Sequence, residues 1–253
     1  MATTPKVTVL IPTYNRPGYL PDALRSVLAQ ELQEWECLVV NDGGIDVQHV
    51  MDAVPDSRVQ YFDRAENHGK AACLNFALQR ARGQYVAYLD DDDMWYPNHL
   101  RALSQALDEN PEMGAAYSDL YEVAFITGEN DERYPLQKTI RICRDYNRTF
   151  MFFFNHVLHV SVMHRRDLVM RAGGYNEGVR VMIDWNMNRK LSYLTDFMHV
   201  PEMTGEYWVQ QKEWSDRISD LQRKDEESYR QNLRRIRSDH PAEPWPKVRK
   251  TAA

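Results

Sequence analysis

Four consecutive aspartates, Asp90 to Asp93, follow the apolar run YVAYL. Adjacent carboxylates repel one another and raise each other's pKa unless a cation or hydrogen-bond donors hold the ionised form. A hard divalent ion does this well, since Mg²⁺ or Mn²⁺ takes one or two carboxylates plus substrate phosphate oxygens and keeps water in its other positions. In extended geometry Asp90 and Asp92 project to one side and Asp91 and Asp93 to the other. At most two of them then meet one metal, and the others bind sugar hydroxyls or cap the helix that Pro97 begins. The alternative is a solvated acidic turn with a helix cap. The pattern argues against an EF-hand calcium loop, because its alternating ligands and central glycine are missing.

Other groups gain meaning from where short apolar runs end. Pro12, Thr13, Tyr14, Asn15 and Arg16 follow VTVLI, and Asn41 and Asp42 follow CLVV. A Tyr14 ring at one strand end can stack on a base, and the Asp42 carboxylate at the next can accept an N–H from it. Packing at the sheet edge for Tyr14, and an Asx turn with Gly43 and Gly44 for Asp42, are the alternatives. Lys70 opens a helix after His68 and Gly69, where it can reach a diphosphate or stand as a surface lysine. Neither GxGxxG nor GxxxxGK[ST] occurs after the first strand, so a phosphate here is neutralised by something other than a glycine nest. His156, His159 and His164 follow no common zinc spacing.

The elements that must position these groups alternate in the first half of the chain, as βα units around a largely parallel sheet do. Val7 to Ile11, Cys37 to Val40, Val59 to Phe62 and Tyr85 to Leu89 read as strands. Leu20, Ala23, Leu24, Val27 and Leu28 share one helix face, as do Leu74, Ala77, Leu78 and Ala81, and then Leu100, Leu103 and Leu107. Ligands of such sheets sit outside the carboxyl ends of the strands, which is where the aspartates and Tyr14 fall. After Pro111 the pattern loosens. GAAYSD and YEVAFI read as two strands, Gly128 to Arg148 as a long polar excursion, and Leu158 to His164 as a strand. A short helix ends at Gly173 and Gly174, IDWNMNRKLSYL is helical, and a polar helix spans roughly Asp216 to Ser238.

The 253 residues carry a net charge of −6, with 43% hydrophobic and 27% charged residues, which suits one soluble α/β core with an appendage. The charge is uneven. From Ser228 to Ala253 seven Lys or Arg face two acids, so this tail carries +5 and the remainder −11. A basic tail of this kind suits weak peripheral contact with an anionic membrane surface or a polyanionic acceptor, the alternative being a solvated helix end and frayed terminus. Basic residues cluster only there, with Tyr229 and Trp245 the sole aromatics among them, which argues against nucleic-acid binding. No apolar run approaches the roughly 18 to 20 residues of a membrane span, and MATTPKVTVLIP is unlike a secretory leader. Cys37, Cys73 and Cys143, odd in number and unpatterned, read as reduced thiols. The expectation is a cytoplasmic location, with room for peripheral contact at the inner face of the membrane.

VTVLIPTYNR, LVVNDGG, ENHGKAACLNFAL, RGQYVAYLDDDDMWYPNHL, AGGYNE and IDWNMNRKLS occur together in this order. The combination resembles the inverting glycosyltransferases of family 2, over about residues 5 to 210. The resemblance implies a GT-A fold, that is, a Rossmann-like α/β domain with a mixed, mostly parallel central sheet flanked by helices. It implies transfer of a sugar from a nucleoside diphosphate donor, usually UDP-linked, to an acceptor hydroxyl, with Mn²⁺ or Mg²⁺ as cofactor. The acceptor would be a saccharide, lipid-linked or protein hydroxyl, in polysaccharide or glycoconjugate synthesis. Carried over by position, Tyr14 with Thr13 and Arg16 beside it meets the base and donor, and Asp42 the uracil N3–H. Lys70 lies near the diphosphate. Asp90 and Asp92 match the family's DxD, with Asp92 the metal ligand and Asp90 or Asp91 near the ribose. Gly174, Glu177 and Trp185 fall beside the acceptor, and Asp184 matches the catalytic base. Ile183 replaces the usual Glu before that base, and NDGG stands where DDGS is commoner. Arg217, in WSDRIS, is a candidate for a loop closing over the diphosphate, or lies next to a helix cap at Ser215 or Asp216. The expected division is a domain over 1–210, with a nucleotide-sugar half at 1–115 and an acceptor half at 116–210, then a helical extension over 211–253. A nucleotidyltransferase, or a non-catalytic nucleotide or saccharide binder of the same fold, are the competing classes.

Overall fold

The computed structural model describes residues 4–128, 132–141, 143–211 and 226–239. Strands β1 (Val7–Thr13), β2 (Trp35–Asn41), β3 (Val59–Asp63) and β4 (Tyr85–Tyr88) run parallel in the order β3-β2-β1-β4. Register aligns Thr13 with Asn41 and Leu10 with Tyr88, so the ends of β1, β2 and β4 open on one edge. The continuous apolar runs follow from burial on both faces. Val7, Val9 and Ile11 pack on one side with α1 (Leu20–Leu28) and α4 (His99–Glu109), and Leu10 on the other with α3 (Lys70–Leu78). All four are fully buried, each contributing about 1.5 to 3 kcal/mol. The three cysteines are free and buried.

The second half extends the same sheet. It contains β5 (Met94–Trp95), β6 (Ala115–Thr127), β7 (Arg133–Arg141), β8 (Val162–Arg165) and β9 (Phe197–Gln210), and β4 is followed across the sheet by β8, β6, β9 and β5. The segments expected as two strands are the single strand β6. Much of the expected polar excursion is β7, which pairs with β6 and is exposed along almost its whole length, so its composition looks like a loop's. Leu158 to His164 is a 3₁₀ turn at His159–Ser161 running into β8 rather than one strand. β9 carries no clear alternation in sequence. It contains Pro201 and pairs in parallel with β6 through register shifts beside Ser118 and Asp119.

Four further helices are α2 (Gln48–Asp52), α5 (Arg148–Met151), α6 (Arg166–Arg171) and α7 (Ile183–Leu191). The C-terminal helix α8 (Glu226–Asp239) docks through fully buried Ile236 on the side of the sheet occupied by α3 and α7. The expected helix start near Asp216, Arg217 itself and the tail beyond Asp239 lie outside the described residues. Among the described residues, no helix is long and apolar enough to cross a membrane. No aspartate caps α4, because the Leu100 N–H at its start donates to the Gln30 side chain at 2.9 Å instead.

Candidate functional site

The aspartate run is a turn, not an extended segment. The Asp93 N–H donates to the Asp90 carbonyl at 3.1 Å, and this closure swings Asp93 back beside Asp90 and Asp92. One carboxylate oxygen from each of these three lies within 4.8 Å of the others. The expectation that alternate aspartates face opposite sides is thereby corrected, and Asp93 joins the pair Asp90 and Asp92. Asp93 Oδ1 accepts the Trp208 N–H at 2.7 Å, while its Oδ2 is buried without a hydrogen-bond partner. That orphaned oxygen, in a group of hard carboxylate donors, fits a divalent cation.

Cationic side chains are built into the turn. Lys70 Nζ lies 2.5 and 2.6 Å from the two oxygens of Asp90. Burial alone would push the Asp90 carboxyl up, but Lys70 beside it holds it well below the usual carboxylate range. Burial and the neighbouring charges act the other way on the remaining three. Asp91 is pushed up to about 6, Asp92 is raised, and Asp93 is raised well above the ordinary value. Asp91 is anchored by the Thr13 hydroxyl at 2.7 Å and Arg16 at 3.0 Å, and Arg16 also reaches Asp92 at 2.6 Å.

The neighbouring strand end is similarly prepared. Asn41, rather than Asp42, stabilises the NDGG turn, accepting the Gly44 N–H on its side-chain oxygen at 3.2 Å. Gly43 needs its left-handed φ of +70°, and a Cβ there would meet the Glu66 backbone at 2.6 Å. Asp42 is thus left to face the site, its oxygens taking N–H groups of His68 and Gly69 and the Arg64 guanidinium. Tyr14 is 46% exposed, and its ring lines a cavity of about 480 Å³ together with Thr13, Arg16, Asp42, Lys70 and Asp90 to Asp92.

A second, larger cavity of about 930 Å³ shares Lys70, Asp90 and Tyr207 with the first. Asp184 lines it from the first turn of α7, where the unpaired N–H groups of the helix favour a negative charge. The Asn155 amide donates to Asp184 Oδ2 at 2.6 Å and orients the carboxylate. Asp93, Asn155, His159 and Tyr207 also line this cavity; sequence places Asp93 in the aspartate run but on the opposite side from Asp90 and Asp92, offers His159 no metal spacing, and gives no signal for Asn155 or Tyr207. The turn conformation hides Asp93, and Tyr207 sits on the strand β9 that composition does not reveal.

Two expected acceptor-side groups do not line either cavity. Trp185 is 3% exposed and donates its indole N–H to the Met151 carbonyl at 2.7 Å, so it is core, as its place one residue after Asp184 on α7 dictates. Glu177 is exposed and accepts from Asn75 at 2.8 Å. Asn75 also bonds both backbone groups of Tyr175 and touches the place where a Gly174 Cβ would be, at 2.6 Å. GGYNE is therefore a turn locked onto α3. His156, His159 and His164 do not converge on a metal. His164 faces the Tyr88 hydroxyl at 3.2 Å, and His159 the Tyr175 hydroxyl at 2.8 Å.

The sequence and the fold have known counterparts. CgeD of Bacillus subtilis is 29% identical over 216 residues, covering 78% of this chain and 49% of CgeD. The chain thus spans about half the length of that relative. The crystal structure of S. aureus TarS 1–349 superposes with a TM-score of 0.64 at 19% identity, over 92% of this chain and 65% of that one, and TarS is also solved with UDP-GlcNAc. The mannosyltransferase PcManGT of Pyrobaculum calidifontis, in complex with GDP-Man and Mn²⁺, gives a TM-score of 0.62 at 21% identity, over 84% and 59% of the two chains. At these identities the two structures establish the fold, which is GT-A. The family described as Glycosyl transferase family 2 matches residues 8–167, well over half of the sequence, and the chain belongs to that family.

Proposed function

We propose that this protein is a metal-dependent inverting glycosyltransferase that moves a sugar from a UDP-linked donor to an acceptor hydroxyl. The observation that carries it is the wall shared by the two cavities. Lys70 and Asp90 stand between an exposed aromatic with a carboxylate, Tyr14 and Asp42, and a second carboxylate, Asp184, on the far side. The TarS complex with UDP-GlcNAc and the PcManGT complex with GDP-Man and Mn²⁺ support the same assignment of substrate class.

In this reading Tyr14 stacks on the base and Asp42 accepts its N–H. Asp90, Asp92 and Asp93 would hold a divalent cation, which supplies neutralisation of diphosphate charge when bound. Lys70, already inside the acidic turn, contributes positive charge to the leaving diphosphate. On the opposite face Asp184 takes the proton of the acceptor hydroxyl as that oxygen bonds to the anomeric carbon. The bond from that carbon to the phosphate oxygen breaks, its electron pair leaves with UDP, and the anomeric configuration inverts.

A thermal-shift series with UDP, GDP and dTDP, each with Mn²⁺ or EDTA, tests the reading. At a hundredfold excess over Kd a specific ligand contributes about 2.7 kcal/mol, which for a chain of this size raises Tm by roughly 5 to 10 °C. UDP with Mn²⁺ is expected to give the largest shift and UDP in EDTA a small one. No shift with any nucleotide overturns the proposal.

A further inference from the structure

His159 is the group at this site that the proposed chemistry leaves without a task. Its side chain is 8% exposed, yet it lines the larger cavity beside Asp90 and Asp184. The ring is clamped. It stacks on Tyr88 with centroids 4.4 Å apart, and its Nε2 lies 2.8 Å from the Tyr175 hydroxyl. The remaining nitrogen, Nδ1, is buried without a hydrogen-bond partner and faces Asp90 Oδ1 at 3.9 Å. A buried orphan of this kind normally costs about 1 to 3 kcal/mol, so a native protein keeps one where something else satisfies it.

The gap has a definite size. At 3.9 Å the two atoms are too far apart to bond directly. An oxygen about 2.8 Å from each closes a triangle with an apex near 90°, which suits a hydroxyl that accepts from one side and donates to the other. Facing a carboxylate, the imidazole carries its proton on Nδ1 and leaves Nε2 to accept from Tyr175. The pair then offers one donor and one acceptor to one oxygen. His159 lies outside the group of three carboxylates with mutually close oxygens, so a ligand role at the metal is not what its position offers.

We propose that His159 Nδ1 and Asp90 Oδ1 together hold one hydroxyl of the donor's sugar, making His159 a sugar-recognition residue. This rests on the glycosyltransferase reading and adds to it the residue that separates nucleotide-sugar from bare nucleotide. The contact predicts a selective loss.

The test measures Mn²⁺-supported binding of two pairs, UDP with UDP-N-acetylglucosamine and GDP with GDP-mannose, by calorimetry. The proteins are the full chain, His159→Ala and His159→Asn. Asparagine keeps an N–H donor close to the Nδ1 position and alanine keeps none. For the pair that the wild type binds, His159→Ala is expected to weaken the nucleotide-sugar about tenfold or more, and the free nucleotide less than twofold. His159→Asn should recover most of the loss. Equal weakening of both members, or of neither, overturns the proposal, as does failure of asparagine to recover binding while its melting temperature matches the wild type's. If the wild type binds neither pair, the glycosyltransferase reading fails and this inference with it, whereas a selective effect on the nucleotide alone sinks only the role of His159.

Discussion

Replacing Asp184 with asparagine is the sharpest probe of the proposed chemistry, because the structure separates its two oxygens. Oδ2 accepts from the Asn155 amide at 2.6 Å, so Oδ1 is the one free to meet an incoming hydroxyl. An amide at position 184 can turn its carbonyl oxygen to Asn155 and keep that bond. Its NH₂ then faces the cavity, a donor where an acceptor is required. General base catalysis contributes about 10² to 10⁴-fold, or roughly 2.7 to 5.4 kcal/mol of barrier. Turnover in Asp184→Asn should fall by that amount. None of the atoms lining the nucleotide cavity belongs to Asp184, so UDP affinity should stay within about twofold.

Asn155→Ala gives the internal control. Losing one hydrogen bond to a charged acceptor costs about 1.5 to 3 kcal/mol, so turnover should drop about 10- to 100-fold. In the Asp184→Asn background the same change should cost little, because the group it orients no longer acts. The assay is release of UDP from UDP-N-acetylglucosamine, with water as acceptor, in a double-mutant cycle across the four proteins. Water needs the same deprotonation, so no acceptor need be identified beforehand. Turnover of Asp184→Asn above a third of wild type, or an Asn155→Ala effect of equal size in both backgrounds, would refute the base assignment.

Asp93→Asn keeps an acceptor for the Trp208 N–H but removes a carboxylate oxygen from the cluster. Since even the outer partners of metal ligands are worth about 10 to 100-fold in affinity, Mn²⁺ binding measured by calorimetry should weaken at least tenfold. Melting in EDTA should rise as like-charge repulsion is relieved, and unchanged Mn²⁺ affinity would remove Asp93 from the ligand set. Tyr14→Ala should weaken UDP by a stacking contribution of about 1 to 3 kcal/mol with the melting temperature nearly unchanged, because the ring is half exposed. Equal UDP affinity by calorimetry would return Tyr14 to a packing role. His99 is fully buried against the Thr204 hydroxyl at 2.7 Å, and burial holds its pKa down to about 3 from 6.5. Between those values the unfolded chain binds more protons, so this contribution is complete above pH 6.5 and is lost as pH falls. From pH 6.5, where the unfolded imidazole is half protonated, to pH 5 the loss is about 1.6 kcal/mol. Asp91, pushed up to about 6, works in the opposite direction, so the comparison is with His99→Asn in urea unfolding at both pH values. Equal pH slopes for the two proteins would contradict the assignment.

What sequence conveys about this fold depends on which faces are buried. β1, β2 and β4 are buried on both sides, so they appear as unbroken apolar runs, and their ends point directly to Thr13, Asp42 and Asp90. β7 is exposed on both faces and β9 is interrupted by Pro201, so neither leaves a period-2 pattern. Their absence from the sequence reading takes Tyr207 and Trp208 with them. Asp93 was within view as a residue but hidden by conformation, since a one-residue difference between turn and strand decides which face it meets. Asp184 came through resemblance alone. Nothing in the local pattern of IDWNMNRKLS separates a carboxylate that lines a cavity from one that caps α7, and the Asn155 side chain that holds Asp184 lies outside that pattern.

The four aspartates divide the work unequally, and the division accounts for there being four. Asp91 is tied by Thr13 and Arg16 to the first strand, which fixes the turn and so the relative placement of the other three. A carboxyl held near pH 6 in the folded state and 3.8 in the unfolded one destabilises the fold by about 3 kcal/mol at neutral pH, a contribution that sets in as pH rises from 3.8 to 6. A turn needing only closure could place Asn or Ser at Asp91 and avoid that cost. Asp92 and Asp93 are shifted in the same direction, so each also weakens the fold at neutral pH. Only Asp90 escapes, because Lys70 neutralises it. Lys70 opens α3 while Asp90 follows β4, and both residues belong to both cavities, so in the proposed reaction this pair stands where donor and acceptor would meet. A diphosphate arriving there competes with Asp90 for the lysine, and a cation then replaces what Asp90 loses. Donor and cation are therefore expected to bind with positive coupling, each restoring the charge balance that the other disturbs.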